Sequence, residues 1–286
     1  MLSSLVSSDE AKELAKCIRN GKEKQVKADG LSGSSAAVLL AAIMSGRGHY
    51  PNLLVVMNDA DEAGYMYHDL TQMMGTERVL FFPSSYKRAI KYNQKDAGNE
   101  ILRTEVLTRV AEAQDLLVVT YPDALAERVV SKKELDVNTL PIKVGDTFDI
   151  NDLEKQIFDL GFERTDYVYE PGQFAVRGSI VDVYSFSSDT PYRIDFFGDE
   201  VDSIRPFDIQ SQLSESKVEQ MTIVPNMKKD DAEYISFLEF LPKETLVMTQ
   251  SLGFVCDKIA QIHKEGFSSQ AKTLSPTLPH NGKGDH

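Results

Sequence analysis

The chain has 286 residues, 42% of them hydrophobic, and carries 44 acidic against 31 basic residues for a formal net charge of −13. That length fits about two compact units with a sizeable core, while the charge argues against a nucleic-acid-binding domain, which needs a basic surface to neutralise phosphates. No apolar run approaches the ~20 residues of a membrane span, the N-terminus has no signal-peptide pattern, and two distant cysteines, Cys17 and Cys256, fit a reducing cytoplasm.

Ser7 to Glu10 forms a Ser-x-x-Glu capping box that predicts an amphipathic helix through Ile18. Gly30 to Ala37 then reads GLSGSSAA, laid out like the phosphate-binding loop G-x-x-x-x-G-K-[S/T]. In a working loop, glycine amides cradle phosphates, the lysine reaches them and the hydroxyl holds Mg²⁺. Here Gly30 occupies the first glycine position and Gly33 adds a turn glycine, but Ser35 stands in the second position and Ala36 and Ala37 replace the lysine and hydroxyl. Taken alone, the octet is read first as an ordinary Gly/Ser turn before a helix.

Ser34 to Ser45 is helical in composition and Gly46 is placed to end it. Leu53 to Met57 is a continuous apolar run, as in a strand buried on both faces. Asp59 and Glu62 open a helix through Met74; Val79 to Phe82 predicts a strand, Asn99 to Ala113 a helix, and Leu116 to Thr120 a second buried strand. Strands alternating with helices predict βαβ units on a parallel sheet over residues 1–138.

The pattern changes near Thr139. A helix over Asn151 to Leu160 precedes strands of period-2 alternation, FAVRGSIVDVYSF and YRIDFFGDEVDSI, with Phe197 to Glu200 as a hairpin turn. Residues 139–226 hold 17 acidic and 7 basic residues, so −10 of the charge lies there. A helix over Asp231 to Leu241 and a buried strand over Glu244 to Thr249 return to the first pattern in residues 227–272. The polar, Pro/Gly-rich residues 273–286 read as a disordered tail or an expression remnant. The expected fold is therefore α/β: a degenerate P-loop, helicase-like parallel-sheet domain interrupted by an inserted α+β, mainly antiparallel module.

A P-loop ATPase also needs a Walker B carboxylate pair at the end of a buried strand. Thr249 and Gln250 stand where a helicase carries Asp-Glu, although the strand taken alone is better read as unrelated. The five histidines form no i,i+4 pair, so no metal site is expected. On the strand Tyr192 to Phe197, Tyr192, Ile194 and Phe196 share an apolar face for the module's helix, and Arg193, Asp195 and Phe197 share the other. An aromatic beside an arginine on a polar face suits a protein-contact hot spot. Equally, Phe197 packs under the neighbouring hairpin while Arg193 pairs with Asp195 or another carboxylate.

The runs GLSGSSAA, YEPGQFAVRGSIVDVYSF (Tyr169 to Phe186) and PYRIDFFGDEVDSIRPFD (Pro191 to Asp208) resemble the N-terminal UvrB-homology module of the bacterial transcription-repair coupling factor family, Mfd, over residues 25–265. The excinuclease component UvrB is similar in layout but has G-x-x-G-x-G-K-T and D-E-S-H where this chain reads GLSGSSAA and TQSL. It also has a long aromatic DNA-clamping hairpin where this chain has only Ser84 to Glu100, with Tyr86 and Tyr92 as its aromatics and Lys87, Arg88 and Lys91 as basic loop residues. The resemblance implies a non-enzymatic module that docks UvrA, the excinuclease component that also binds UvrB, through Arg177, Arg193 and Phe197. It implies no cofactor here, ATP and Mg²⁺ belonging to motor domains outside this chain, with RNA polymerase and double-stranded DNA as partners of the whole factor. Direct DNA binding and membrane contact are not expected. The alternatives are a UvrB-like ATPase, which nucleotide turnover would reveal, and a DNA-binding repair protein, which salt-dependent duplex binding would reveal.

Overall fold

The computed structural model describes residues 9–20, 26–31, 33–44, 51–85, 97–112, 115–227 and 232–265. Helix α1 (Asp9–Asn20) lays Leu14 and Ala15 against the core, and α2 (Ser35–Met44) is buried along Ala37, Leu40 and Ala41 to Met44. Strand β1 (Leu53–Val56) is buried at every residue, as its unbroken apolar run predicts. Asp59 caps α3 (Ala60–Met74) by accepting from the amides of Asp61 and Glu62, both at 2.9 Å. Strand β2 (Val79–Phe81), α4 (Ala97–Glu112) and β3 (Leu117–Thr120) complete the alternation. The residues Tyr86, Lys87, Arg88, Lys91 and Tyr92, like Ser7, Gly46 and the 273–286 tail, lie outside the described residues.

Three short elements carry no strong sequence signal: α5 (Pro122–Ala126), β4 (Arg128–Val130) and α6 (Lys132–Val137), the last capped by the Ser131 hydroxyl. Strand β5 (Leu140–Lys143) then leads into a separate core. Helix α7 (Ile150–Asp159), capped by Asp149, packs on a five-stranded sheet of β6 (Glu163–Arg164), β7 (Gln173–Arg177), β8 (Ile180–Val183), β9 (Tyr192–Phe197) and β10 (Glu200–Pro206). Its strand order is β10-β9-β8-β7-β6, antiparallel except for the parallel β6–β7 pair. The chain leaves by β11 (Gln220–Ile223), paired antiparallel with β5, so the strands at the two ends of this core lie side by side.

The expected helix over 231–241 is not formed. Tyr234–Ser236 is instead a strand, β12, paired antiparallel with β4, and only Phe237–Phe240 is helical, as α8. The cause lies in the side chains: Ser236 caps the turn by accepting from the Glu239 amide at 3.1 Å, and Phe237 and Phe240 both plunge into the core. Phe237 stacks on Phe82 with ring centroids 3.9 Å apart.

Strand β13 (Leu246–Thr249) joins β1 in parallel register, Leu53 opposite Leu246 and Val56 opposite Thr249. The parallel sheet thus runs β13-β1-β3-β2. Contrary to its expected burial, β13 is an edge strand whose Val247 is exposed, because among the described residues no strand covers its outer side. Helix α9 (Leu252–Glu265) closes the described chain against α5. The molecule is therefore mixed α/β, with one parallel sheet, an antiparallel-dominated sheet and two separate principal cores.

Candidate partner-binding surface

Side chains alternate across each strand of the five-stranded sheet, which gives it two unlike faces. On one, Phe174, Val181, Val183, Ile194, Phe196, Val201 and Ile204 close on Leu153 and Ile157 of α7. Burying each such side chain contributes about 1.5–3 kcal/mol, which fixes the register of β7 to β10. Tyr192, Ile194 and Phe196 therefore take the inner face that their alternation predicts, with Tyr192 only partly buried.

The other face carries a row of charges assembled by register, next to a small buried cluster of Val168, Ala175, Tyr184 and Phe207. Asp182 on β8 lies opposite Arg193 on β9, which lies opposite Arg205 on β10; one rung along, Asp195 lies opposite Ser203. Two-residue turns hold the hairpins: Gly178 and Gly198 each take a positive φ, 63° and 64°, at the first turn position, which favours glycine. No atom lies within 4 Å of a Cβ built at Gly178, so the turn conformation and not close approach selects glycine there.

Asp182 is the centre of this face, with its side chain only 1% exposed. Arg193 grips it with two hydrogen bonds, Nε to Oδ1 at 2.8 Å and Nη2 to Oδ2 at 2.9 Å, and Arg177 Nη2 donates to the same Oδ2. This hydrogen bonding holds the Arg193 pKa above the usual arginine value, ahead of the opposing effect of burial. Each guanidinium also sits over a ring, Arg193 at 4.6 Å from the Phe207 centroid and Arg177 at 5.2 Å from Tyr167.

Backbone carbonyls complete the seats. Gln212 O accepts from Arg193 Nη1 at 3.2 Å, and Asp166 O accepts from Arg177 Nη1 at 3.0 Å. The loop that presents Gln212 is braced by Asp208, whose carboxylate accepts from the Ser211 amide at 2.8 Å and hydroxyl at 2.7 Å. Those bonds, the amide one first, lower the Asp208 pKa. Beside Arg177, an open groove of about 810 Å³ is lined by Arg164, Thr165, Asp166, Tyr167, Val176 and Arg177.

Of the three predicted contact residues, the structure brings Arg177 and Arg193 onto one carboxylate and places Phe197 at the β9–β10 turn, 84% exposed. Phe197 does not pack under its hairpin. The arginines, by contrast, are already engaged within the chain, with Arg193 16% and Arg177 35% exposed. Sequence reasoning missed Asp182, Tyr167, Phe207 and Gln212. Asp182 alone left a trace: it is the one charge in the apolar run SIVDVYSF.

The other predicted positions lie in the parallel-sheet unit. Gly30 and Gly33 have positive φ values of 81° and 54°, Ser35 opens α2, Ala36 is half-buried and Ala37 is fully buried in the core. No strand is assigned to residues 26–29, immediately before the loop. Thr249 ends β13, and its buried Oγ1 has no hydrogen-bond partner; the Gln250 Oε1 accepts from Asn58 Nδ2 at 2.8 Å. Among the described residues no helix is long and apolar enough to cross a membrane, and no cluster of His, Cys, Asp or Glu is arranged to hold a metal.

This sheet-and-helix unit matches the family described as the UvrB interaction domain over residues 140–228, from the start of β5 to just past β11. The wider chain is similar to the transcription-repair-coupling factor of Bacillus subtilis, 30% identical over 219 residues, covering 76% of this chain and 18% of that protein. The corresponding factor of Escherichia coli is 27% identical over 197 residues (68% and 17%), and that of Haemophilus influenzae 28% over 176 (61% and 15%). The family resemblance read from the sequence motifs therefore holds. The chain spans less than a fifth of the length of these curated relatives.

Proposed function

We propose that this chain is a non-catalytic recruitment module that docks UvrA through the polar face of the β7–β10 sheet, with Phe197 as its anchor and Arg177 and Arg193 beside it. In this reading, residues 139–226 are inserted into an α/β domain that retains the outline of a P-loop ATPase without its chemistry. The whole factor would carry the RNA polymerase contact and an ATP-driven translocase on duplex DNA outside this chain, and would work in the bacterial cytoplasm to link a stalled polymerase to nucleotide excision repair.

The observation that carries the reading is the exposed phenylalanine on the same sheet face as an ordered arginine pair, within a unit that matches an interaction domain. A large aromatic held in solvent at a rigid turn costs solubility and gives the fold no packing, whereas at an interface it supplies a buried anchor. The setting also concentrates positive charge: Arg177, Arg193 and Arg205 gather around Asp182 and Asp195, in a module that is otherwise strongly acidic.

Titration of purified UvrA with this chain tests the proposal, and a saturable complex that Phe197→Ala weakens is the expected result. Nucleotide gives an independent check on the degenerate loop, since Ala36 and Ala37 supply neither the lysine nor the hydroxyl that a triphosphate and its metal require. A ligand present at about 100 times its Kd stabilises by ~2.7 kcal/mol. Unchanged thermal unfolding with millimolar Mg–ATP is therefore expected, and a clear upward shift would return the chain to the ATPases.

A further inference from the structure

We propose that Asp182 is a positioning residue of the docking face: one buried carboxylate aligns both Arg177 and Arg193 for the partner, and without it their charge alone does not bind. The inference rests on the UvrA-docking reading.

Three observations lead to it. The first is geometric. Asp182 stands on β8, between the two strands that carry the arginines, and its two oxygens receive hydrogen bonds from the two guanidiniums. A guanidinium is a rigid planar fork, so fixing two of its N–H groups fixes the direction of the rest. The second is burial. A carboxylate that is 1% exposed is costly to hold ionised unless it is fully engaged, and here the two arginines engage it. If the arginines left to meet a partner's acid, Asp182 would remain behind as an uncompensated buried charge, so the arginines meet the partner while still holding Asp182.

The third is an asymmetry between the arginines. Arg193 is locked by two bonds to Asp182, by the Gln212 carbonyl and by the Phe207 ring. Arg177 makes one bond to Asp182 against the two of Arg193, donates to the Asp166 carbonyl, rests on the exposed Tyr167 and borders the open groove. Arg193 thus serves chiefly to hold the carboxylate in place, and Arg177 is the guanidinium whose edge reaches solvent. Binding by charge and binding by alignment then differ in sign. If the arginines acted as loose positive charges, neutralising Asp182 would free them and tighten binding to an acidic site. If Asp182 aligns them, neutralising it weakens binding.

The experiment is a calorimetric titration of purified UvrA with the full chain and its variants, alongside ¹⁵N spectra that resolve the arginine Nε–H signals. Asp182→Asn is expected to weaken binding roughly 30-fold, the scale for breaking a hydrogen-bonded charge pair at an interface. The Arg193 Nε–H signal is expected to move and exchange faster with water while the strand amides of β9 and β10 stay in place. Wild-type or tighter binding by Asp182→Asn, with Phe197→Ala still impaired, overturns the positioning role and leaves the docking reading standing. Failure of the wild-type chain to bind, or full binding by Phe197→Ala, overturns both. Should Asp182→Asn not fold, Arg177→Lys and Arg193→Lys keep the charge and lose the fork: weakened binding by both supports alignment, and wild-type affinity in both overturns it.

Discussion

Two buried carboxylates, Glu127 and Asp182, face arginines in different parts of this molecule, and their surroundings lead to opposite roles. Glu127 is sealed. Its oxygens accept from the Ser85 amide at 2.9 Å and the Ser84 and Ser85 hydroxyls, and Arg103 lies 3.7 Å away, with both charged side chains only 8% exposed. Arg103 is itself capped by the Phe82 ring at 4.1 Å, and Phe82 by Phe237. Asp182 is as deeply buried, but one of its arginines, Arg177, leads outward to solvent on the exposed Tyr167 ring, while Arg193 lies over the buried Phe207. The same chemistry thus closes one site and opens the other. What differs is whether another layer of structure lies beyond the arginine, as at Arg103, or solvent, as at Arg177.

The strongest test of the sealed site is Glu127→Ala. It removes the acceptor that pins Ser84 and Ser85 at the end of β2 and the carboxylate that faces the buried Arg103 charge. Breaking a buried pair in this way costs about 3–5 kcal/mol. Urea unfolding followed by circular dichroism should show that loss, while the UvrA affinity of the protein that remains folded stays at its wild-type value. A parallel fall in affinity would mean that the two sites are coupled, and the contrast drawn between them would fail.

The open site yields the reverse result. Phe197→Ala deletes a ring that touches little of its own fold, so stability should stay within about 0.5 kcal/mol of wild type. If the ring is buried on docking, the lost transfer energy is about 1.5–3 kcal/mol, or roughly 10- to 150-fold in Kd. Calorimetry reads the affinity and thermal unfolding the stability. A variant that loses stability but binds normally would reverse the assignment.

Much of the fold that carries these two sites was legible in the sequence; the carboxylates themselves were not, and the illegible part has a common cause. The continuous apolar runs Leu53 to Met57 and Leu116 to Thr120 and the cap at Asp59 marked βαβ structure, and the alternation through Tyr192 to Phe197 sorted its side chains to the correct faces. These signals are local. The partner of Arg193 was not, because the β8–β9 connection runs through Ser185 to Pro191, and no short turn rule carries the register across it to bring Asp182 opposite Arg193. The 231–241 segment misled for a related reason. Its Phe237 and Phe240 have helical spacing, but only one turn of helix follows it, since Tyr234 and Ile235 found a strand partner in Val129 and Val130, about a hundred residues earlier. Tertiary pairing overrode a pattern that was ambiguous over so short a span.

Glu105 on α4 lies between the sealed and the open case, and it gives the smallest expected effect. Burial raises its pKa first; Asp189, from the loop between β8 and β9, and Glu77 add to the rise, against the lowering by Arg109, whose Nη1 lies 3.6 Å away. Asp189 also raises the pKa of Tyr67 on α3 and of Tyr192 on β9, after burial in each case, so its charge is felt on both the module and the α/β layer. For a carboxyl whose folded pKa is raised, the folded state holds the proton more tightly than the unfolded chain does. Its stabilising contribution is therefore complete below the ordinary carboxyl pKa and is lost as pH rises through the folded value. At neutral pH the ionised group is left in a site that disfavours its charge. Glu105→Gln removes that charge, so it should raise the melting temperature slightly at pH 7 and give no gain near pH ~4, where the native carboxyl is already protonated in much of the folded population. If the variant is instead less stable at pH 7, the ion pair with Arg109 outweighs burial and the repulsion from Asp189, and Glu105 belongs with Glu127 among the carboxylates that hold the fold together.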